Sequence, residues 1–143
     1  MMISDMPGHL IRRLNQMSTQ VFSQRMQDAG QDLTPVQFAA LDAIHSHPGL
    51  DQAGIAALIA YDKATIGGVI DRLEQKGLVT RSVSARDRRA REVRLTENGH
   101  RTYADVLPVV AALQDEILGG LTEDEQSDFL RLLGKAIHEK VPV

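Results

Sequence analysis

The fold is decided by the stretch from Asp62 to Gly99, which reads DKATIGGVIDRLEQKGLVTRSVSARDRRAREVRLTENG. Its pattern predicts a helix, a short strand, an arginine-rich loop, a second strand and the start of another helix. The loop from Ser82 to Arg91 carries four arginines against one acid, Asp87. A basic hairpin directly after an amphipathic helix is typical of a winged helix-turn-helix, in which the helix enters the major groove of DNA and the hairpin reaches phosphates or the minor groove.

The basic charge of the chain is local. Residues 62–101 contain ten basic and six acidic side chains, a net charge of +4, whereas the other residues carry −7 and the whole chain −3. A positive surface that binds phosphates needs such a concentration of charge. The alternative is ordinary variation of charge over a solvated surface. The position of the excess on the predicted hairpin favours phosphate binding.

Composition excludes several classes of protein. The chain has 143 residues, which suits one domain, or one small domain with dimerising extensions. Only 3% of the residues are aromatic, too few for a single-strand binder that stacks bases. It contains no cysteine, which excludes disulfides, thiolate metal sites and cysteine oxidation switches. No apolar run reaches the roughly 20 residues of a membrane span, and no secretory signal is visible, so we expect a cytoplasmic protein. No phosphate-binding glycine loop or hydrolase motif indicates an enzyme.

Two short helices form a helix-turn-helix candidate before the hairpin. Asp51 caps the first, AGIAALIA, and Asp62 caps the second, which runs to Lys76. Gly77 then occupies the position of a left-handed C-cap. The two hairpin strands are predicted at residues 78–81 and 92–95, giving a mainly α fold with a small β-hairpin wing.

Long amphipathic helices bracket this motif. We expect residues 1–143 to form a single unit, with a winged region at 34–100 and dimerisation helices at 9–30 and 101–140. The winged region opens with a capping box at Thr34 and Gln37, and Pro108 is expected to kink the helix after the wing. The outer helices carry more apolar surface than a monomer easily buries, although a monomeric helical bundle is the alternative. The last helix should turn five apolar residues inward: Phe129, Leu130, Leu132, Leu133 and Ile137.

Four strings carry a resemblance to a known family: LTPVQFAAL (33–41), IDRLEQKGLVTR (70–81), DRRAREVRLTENG (87–99) and LTEDEQSDFLRLL (121–133). In this order they resemble the MarR (multiple antibiotic resistance regulator) family of bacterial transcription factors. The resemblance runs from Leu10 to about Lys140. It implies a dimeric winged-helix repressor of double-stranded DNA whose binding is loosened by a small phenolic or aromatic carboxylate.

The resemblance and the residue chemistry together predict a DNA surface. On the recognition helix, Thr65 can donate a hydrogen bond to a base or contact a thymine methyl. The glycines at 67 and 68 are costly inside a helix and suggest close approach of its backbone, either to DNA or to a neighbouring helix. Family members often carry larger polar side chains there, so base readout should be sparse. The helix residues of the predicted surface are Lys63, Ala64, Thr65, Gly67, Gly68 and Arg72.

Roles in the wing follow mainly from the resemblance. It implies that Arg89 enters the minor groove, while Arg86 and Arg88 contact phosphates. Asp87 is expected to orient these arginines. The alternative is a disordered basic loop, which still contributes nonspecific affinity through counterion release.

An effector site is implied where the first, second and fifth helices of the family meet. The residues predicted to contribute are His9, Arg13, Gln16 and Met17 of the first helix and His45 of the second. An arginine there can pair bidentately with a carboxylate, but Arg13 is as readily an interface salt bridge. The histidines are alternatively exposed or capping residues. His45 and His47 with Asp42 resemble part of a zinc site, but a third convincing ligand cluster is missing.

The sequence therefore predicts a homodimeric, DNA-binding transcriptional regulator without metal or other cofactor. In this prediction it is a repressor released from a pseudo-palindromic operator by a small aromatic or phenolic carboxylate. Two alternatives stay open: a winged-helix module that binds another protein and not DNA, and a metal-responsive regulator.

Overall fold

A computed structural model of the chain describes residues 2–140. A 3-10 turn at Ile3–Asp5 precedes the first long helix. The described part of the chain then contains six α-helices and one antiparallel hairpin. Their bounds are α1 Pro7–Asp28, α2 Pro35–Ser46, α3 Gln52–Leu58, α4 Lys63–Gln75, β1 Val79–Val83, β2 Arg91–Leu95, α5 Glu97–Ile117 and α6 Glu123–Lys140.

Side-chain caps explain where the helices begin. The Thr34 and Gln37 capping box is present, with each backbone N–H donating to the other residue's side-chain oxygen at 3.2 Å. The predicted cap Asp51 accepts from the backbone N–H of Gly54 at 2.7 Å, which satisfies a donor that the first helical turn leaves free. At the other end of a helix, Gly77 has a φ of 75° and ends α4 in the left-handed region, as predicted.

The hairpin is longer than the sequence suggested. β1 and β2 pair from Val79 opposite Leu95 to Val83 opposite Arg91, so the predicted strands at 78–81 and 92–95 were too short at the tip. Pairing continues there because Ser84 N–H still donates to Ala90 O at 3.0 Å. Val93 N–H also donates to Leu50 O at 3.0 Å. The loop before α3 therefore pairs with β2, on the side of that strand away from β1.

One hydrophobic core joins the winged region to α5 and the second half of α1. Phe22 and Met26 of α1 are buried against it, as are Val106 and Leu113 of α5. Up to residue 138, where burial is described, neither the first half of α1 nor α6 contributes a residue to that core. Within residues 2–140, no single helix is long and apolar enough to cross a membrane; α3 and α4 meet that criterion only together, across a bend of 111°.

The prediction that α6 turns its apolar residues inward is wrong for the single chain. Leu130 is 61% exposed, Leu132 52% and Ile137 56%, although Phe129 and Leu133 are half-buried. The periodicity of α6 correctly marks an apolar face, but a periodicity does not say which surface covers it. α5, for its part, continues as one helix through Pro108.

Candidate nucleic-acid interface

The recognition helix α4 has one buried face and one open face. Ile66, Ile70 and Leu73 are fully buried in the core. Their positions turn the opposite side of the first two helical turns to solvent, because residues three and four apart share a helix face. The exposed residues of α4 that the sequence assigned to DNA are Lys63, Ala64, Thr65, Gly68 and Arg72, and Gly67 is half-buried.

The Thr65 hydroxyl is already used by the helix cap. Its Oγ1 donates to Asp62 Oδ2 at 2.9 Å, and its backbone N–H donates to Asp62 Oδ1 at 2.7 Å. These two bonds, the backbone one first, lower the pKa of the Asp62 carboxyl below its ordinary value. The idea that Thr65 donates to a base therefore conflicts with this arrangement. Its methyl group is the part left to contact DNA.

Hydrogen bonds fold the wing tip into a compact turn. Ser84, which is buried, accepts at Oγ from the backbone N–H groups of Arg86 (3.2 Å) and Asp87 (3.4 Å). Asp87 Oδ1 in turn accepts from the backbone N–H of Arg89 at 3.0 Å and lies 3.5 Å from its Nε. The Arg89 side chain is nevertheless 94% exposed. The arginines of the turn are therefore exposed to solvent. Asp87 contacts the backbone of Arg89, one of the arginines that it was predicted to orient.

The wing tip and the recognition helix share one cleft. A cavity of 370 Å³ lies between the start of α3, the start of α4 and the wing. Lys63 of α4 lines it together with Arg89 and Arg91 of the wing. Cationic residues of the two elements therefore line one cleft, together with Asp51 and Asp87, and the three cations outnumber the two acids where a phosphate backbone would bind.

Arg81 fixes the angle between the wing and α4. From β1, its guanidinium donates to Gln52 Oε1 of α3 at 2.9 Å. It also pairs with Asp71 at 2.6 Å and Glu74 at 2.9 Å, both on α4. Hydrogen bonding to Glu74, before the bond to Asp71, raises the pKa of Arg81 above its ordinary value. Asp71 thus pairs with Arg81, while Arg72, which was predicted to belong to the DNA surface, is exposed.

A stack of rings joins α2 to α5. Tyr103 of α5 is buried, and its hydroxyl donates to Asp42 Oδ1 of α2 at 2.6 Å. This hydrogen bond, with burial as a smaller cause, raises the pKa of Tyr103 to about 12. Phe38 stacks on the Tyr103 ring with centroids 5.9 Å apart, and His45 lies near it at 4.3 Å. His100 meets His45 edge-on, with ring centroids 6.0 Å apart, and completes this cluster. Of the cluster, only His45 was predicted from the sequence to belong to the effector site.

The effector residues predicted on α1 lie apart from His45 and the ring stack in the single chain. His9 is half-buried, and Arg13, Gln16 and Met17 are exposed along the first half of α1. No hydrogen bond, ion pair or ring contact among the described residues joins them to His45. The structure therefore brings His45 to α5 and leaves Arg13, Gln16 and Met17 on an exposed face of α1, with His9 half-buried near its start. Within residues 2–140, no group of three or more histidine and carboxylate side chains is placed to hold a metal ion.

An apolar groove runs beside these α1 residues. It has a volume of 570 Å³ and is walled by α1, the end of α5 and α6. Leu10 and Ile11 line it from α1, Leu118 from the end of α5, and Phe129 and Leu130 from α6. Leu10, Ile11 and Leu130 are also among the exposed large apolar residues, so the groove opens onto a wider apolar face.

Comparison with known proteins decides the family. A family model described as the MarR family matches residues 31–90. The transcriptional regulator HosA of Escherichia coli is 35% identical over 130 residues, which is 91% of this chain and 93% of HosA. The chain belongs to the MarR family of transcriptional regulators. MarR-family proteins regulate transcription, and the winged helix-turn-helix fold predicted from the sequence is confirmed.

Two solved structures of MarR-family regulators resemble the chain over nearly its whole length. BpsR of Bordetella bronchiseptica has a TM-score of 0.89 and 30% identity and covers 96% of this chain and 97% of its own; its DNA binding is regulated by 6-hydroxynicotinic acid. The transcriptional repressor CouR, bound to a 23-mer DNA duplex, has a TM-score of 0.86 and 27% identity, with 95% of each chain covered.

The geometry gives physical reasons for two strings of the MarR resemblance. In IDRLEQKGLVTR, Asp71 and Glu74 both pair with Arg81. In LTENG, the Thr96 Oγ1 accepts from the N–H of Gly99 at 2.9 Å and caps α5. Gly99 itself packs directly on the backbone of Leu78, the residue before β1, where a Cβ would lie 2.0 Å from the carbonyl oxygen. Sequence reasoning quoted both strings but missed these contacts.

Proposed function

We propose that this MarR-family chain is a homodimeric repressor that binds a pseudo-palindromic DNA duplex through α4 and the wing and is released by a small aromatic carboxylate. The observation that carries the proposal is the cleft shared by Lys63, Arg89 and Arg91, with Arg86 and Arg88 exposed beside it. Support also comes from CouR, a similar chain that binds a DNA duplex. In this assignment Arg89 enters the minor groove and Arg86 and Arg88 contact phosphates.

The dimer is supported by apolar surface that the single chain leaves open. Ile11 on α1 is 61% exposed and Leu130 on α6 is also 61% exposed, and both line the groove between these helices. A second copy that packs its own α1 and α6 there would bury this face by a two-fold arrangement. Two recognition helices would then reach successive major grooves on one side of the duplex, which requires a palindromic operator.

The effector step is supported by the ring stack between α2 and α5. α2 belongs to the winged region and α5 to the long helices, so a ligand that wedges between them changes the spacing of the recognition helices. His45 and His100 are exposed, meet edge-on and offer ring N–H groups to an aromatic acid. Arg13, on the exposed face of α1, is the proposed carboxylate partner, reached when dimer helices pack together. BpsR, a similar protein, responds to such an acid, 6-hydroxynicotinic acid.

Fluorescence anisotropy with the DNA upstream of the protein's own gene tests the proposal. Wild type should bind tightly, and Arg89→Ala should bind at least tenfold more weakly, because a minor-groove contact and a charge are lost. Arg101→Ala is the matched control: it removes an exposed arginine of α5 that pairs with Glu97, away from the wing. Binding that is indifferent to Arg89 would place the DNA surface elsewhere. Binding to no duplex at all would favour a protein-interaction module.

The effector arm uses the same complex. 6-Hydroxynicotinic acid and a panel of benzoates should weaken binding by wild type, and His45→Ala should keep DNA affinity but lose that response. Retention of the full response in His45→Ala would remove the α2–α5 junction from the proposal. Weakening by a chelator, with restoration by zinc, would indicate the metal-responsive alternative.

A further inference from the structure

Two adjacent glycines in α4 have no conformational reason to be glycine. Inside a helix each costs about 1 kcal/mol relative to alanine. Among the described residues, glycines with positive φ are Gly30, Gly49 and Gly77, and neither Gly67 nor Gly68 belongs to that set. Both have the ordinary backbone of a helix, which an alanine adopts with less loss of entropy.

Packing within the chain gives no reason for them either. A Cβ at Gly68 would meet no atom within 4 Å, and one at Gly67 would meet only Gln52 Nε2, at an ordinary 3.9 Å. The situation at Gly99 is the opposite, since a Cβ there would overlap a backbone oxygen. The suggestion that a neighbouring helix of the same chain approaches residues 67 and 68 is therefore wrong. The space in front of Gly68 is open, and beside Gly67 only the Gln52 side chain of α3 comes within 4 Å.

The neighbouring side chains show what kind of contact this face can make. Ala64 ends in a methyl group, and the hydroxyl proton of Thr65 is directed to Asp62, so the methyl group is the part of this exposed side chain left to contact DNA. Reading guanine or adenine by bidentate hydrogen bonds needs arginine, lysine, asparagine or glutamine, whereas methyl groups pack against the C5-methyl of thymine. From residue 64 to residue 68 this face offers methyl groups and bare backbone.

We infer that Gly67 and Gly68 are specificity-determining residues that let the backbone of α4 approach the floor of the major groove, where Ala64 and Thr65 read thymine methyl groups. The inference rests on the proposed function, since the DNA surface itself stands on the wing cleft and on family membership. It names the operator chemistry: thymines at the positions of each half-site that face the first two turns of α4.

Alanine at these glycines should separate stability from DNA affinity. Gly68→Ala and the double variant Gly67→Ala/Gly68→Ala should unfold at the same or a higher temperature than wild type, because the helix gains propensity in open space. Their affinity for the operator should fall by about tenfold or more, because the added methyl groups hold the helix away from the bases. Gly8→Ala is the matched control: its Cβ also meets nothing within 4 Å, but it lies on α1.

A second arm changes the DNA and leaves the protein intact. Replacing thymine by deoxyuridine removes only the 5-methyl group, so a scan along one half-site should weaken wild-type binding by about threefold to tenfold at two or three central positions and nowhere else. Operator binding by Gly68→Ala equal to that of wild type, a lower unfolding temperature of Gly68→Ala, or a deoxyuridine scan without effect would each overturn the inference. Failure of wild type to bind, or indifference to Arg89→Ala, would instead overturn the proposed function.

Discussion

Gly99→Ala tests the close contact between α5 and the wing. Gly99 is buried in the first turn of α5, next to the carbonyl of Leu78 at the base of β1. The same carbonyl accepts from the backbone N–H of Thr96 at 3.0 Å, and the Thr96 hydroxyl also donates to Gly77 O at 2.6 Å. A methyl group at residue 99 would be directed into this junction between the winged region and the long helix.

The size of the effect follows from the overlap. A Cβ at residue 99 would lie 2.0 Å from Leu78 O, and an ordinary contact begins at 3.4 Å, so the two backbones must separate by about 1.4 Å. Overpacking of this kind costs about 1–3 kcal/mol, and here both groups are attached to backbone that two hydrogen bonds hold in place. The gain in helix propensity offsets about 1 kcal/mol. Because the overlap is with backbone, we take the upper end of the overpacking range, about 3 kcal/mol, which leaves a net loss of about 2 kcal/mol in the free energy of unfolding, or about 4–8 °C in melting temperature.

Thermal unfolding followed by circular dichroism measures this loss. Wild type and variant must be compared at one protein concentration, because the melting temperature of a dimer depends on concentration. Gly68→Ala is the internal comparison: the same substitution at an open glycine should not lower the melting temperature. A Gly99→Ala protein as stable as wild type would refute the reasoning, since it would show that the contact yields without cost.

Two further predictions concern the ring stack between α2 and α5 and the contacts of Arg81 that join the wing to α4. In a Tyr61→Phe variant Tyr103 is the only tyrosine, and its absorbance should titrate at about pH 12 while the protein is folded. The folded pKa of Tyr103 lies above the unfolded value near 10. The stabilisation by its hydrogen bond to Asp42 is therefore complete below pH 10 and is lost as the pH rises through 12. A folded-state transition near pH 10 would contradict this. Arg81→Met should lower the free energy of unfolding, measured by urea unfolding, by about 1–2 kcal/mol and should weaken operator binding, measured by anisotropy. Arg101→Met, which breaks one exposed pair, should change neither quantity by much. Equal effects of the two substitutions would contradict the role of Arg81 in joining the wing to α4.

The parts of the fold that depend on local chemistry could be predicted from the sequence. Thr34, Asp51 and Asp62 cap helices through bonds to residues three positions later, and Gly77 ends α4 through its own φ. These interactions span a single helical turn, so residue types at fixed spacing reveal them. The wing was predicted from two short strands on either side of a run of arginines, and only the length of the strands was underestimated.

The parts of the fold that depend on contacts between distant residues could not be predicted from the sequence. Arg81 binds residues of α3 and α4, and Tyr103 binds Asp42 across 61 positions of sequence, so neither contact leaves a local pattern. The prediction for α6 failed for a related reason: its apolar period was correct, but the rest of the described chain leaves Leu130 61% exposed. The α1 residues proposed for the effector were placed by resemblance alone, and the positions that line a site depend on how helices of two copies meet.

The salt dependence of operator binding tests the central claim most directly, namely that the wing and α4 hold a duplex by its phosphates. The logarithm of the association constant should fall linearly with the logarithm of salt concentration, by about 0.9 for each phosphate contact. In a homodimer, Arg86→Ala/Arg88→Ala removes four such contacts, so its slope should be shallower than that of wild type by about 3.6. An unchanged slope, or wild-type binding that does not respond to salt, would contradict the account.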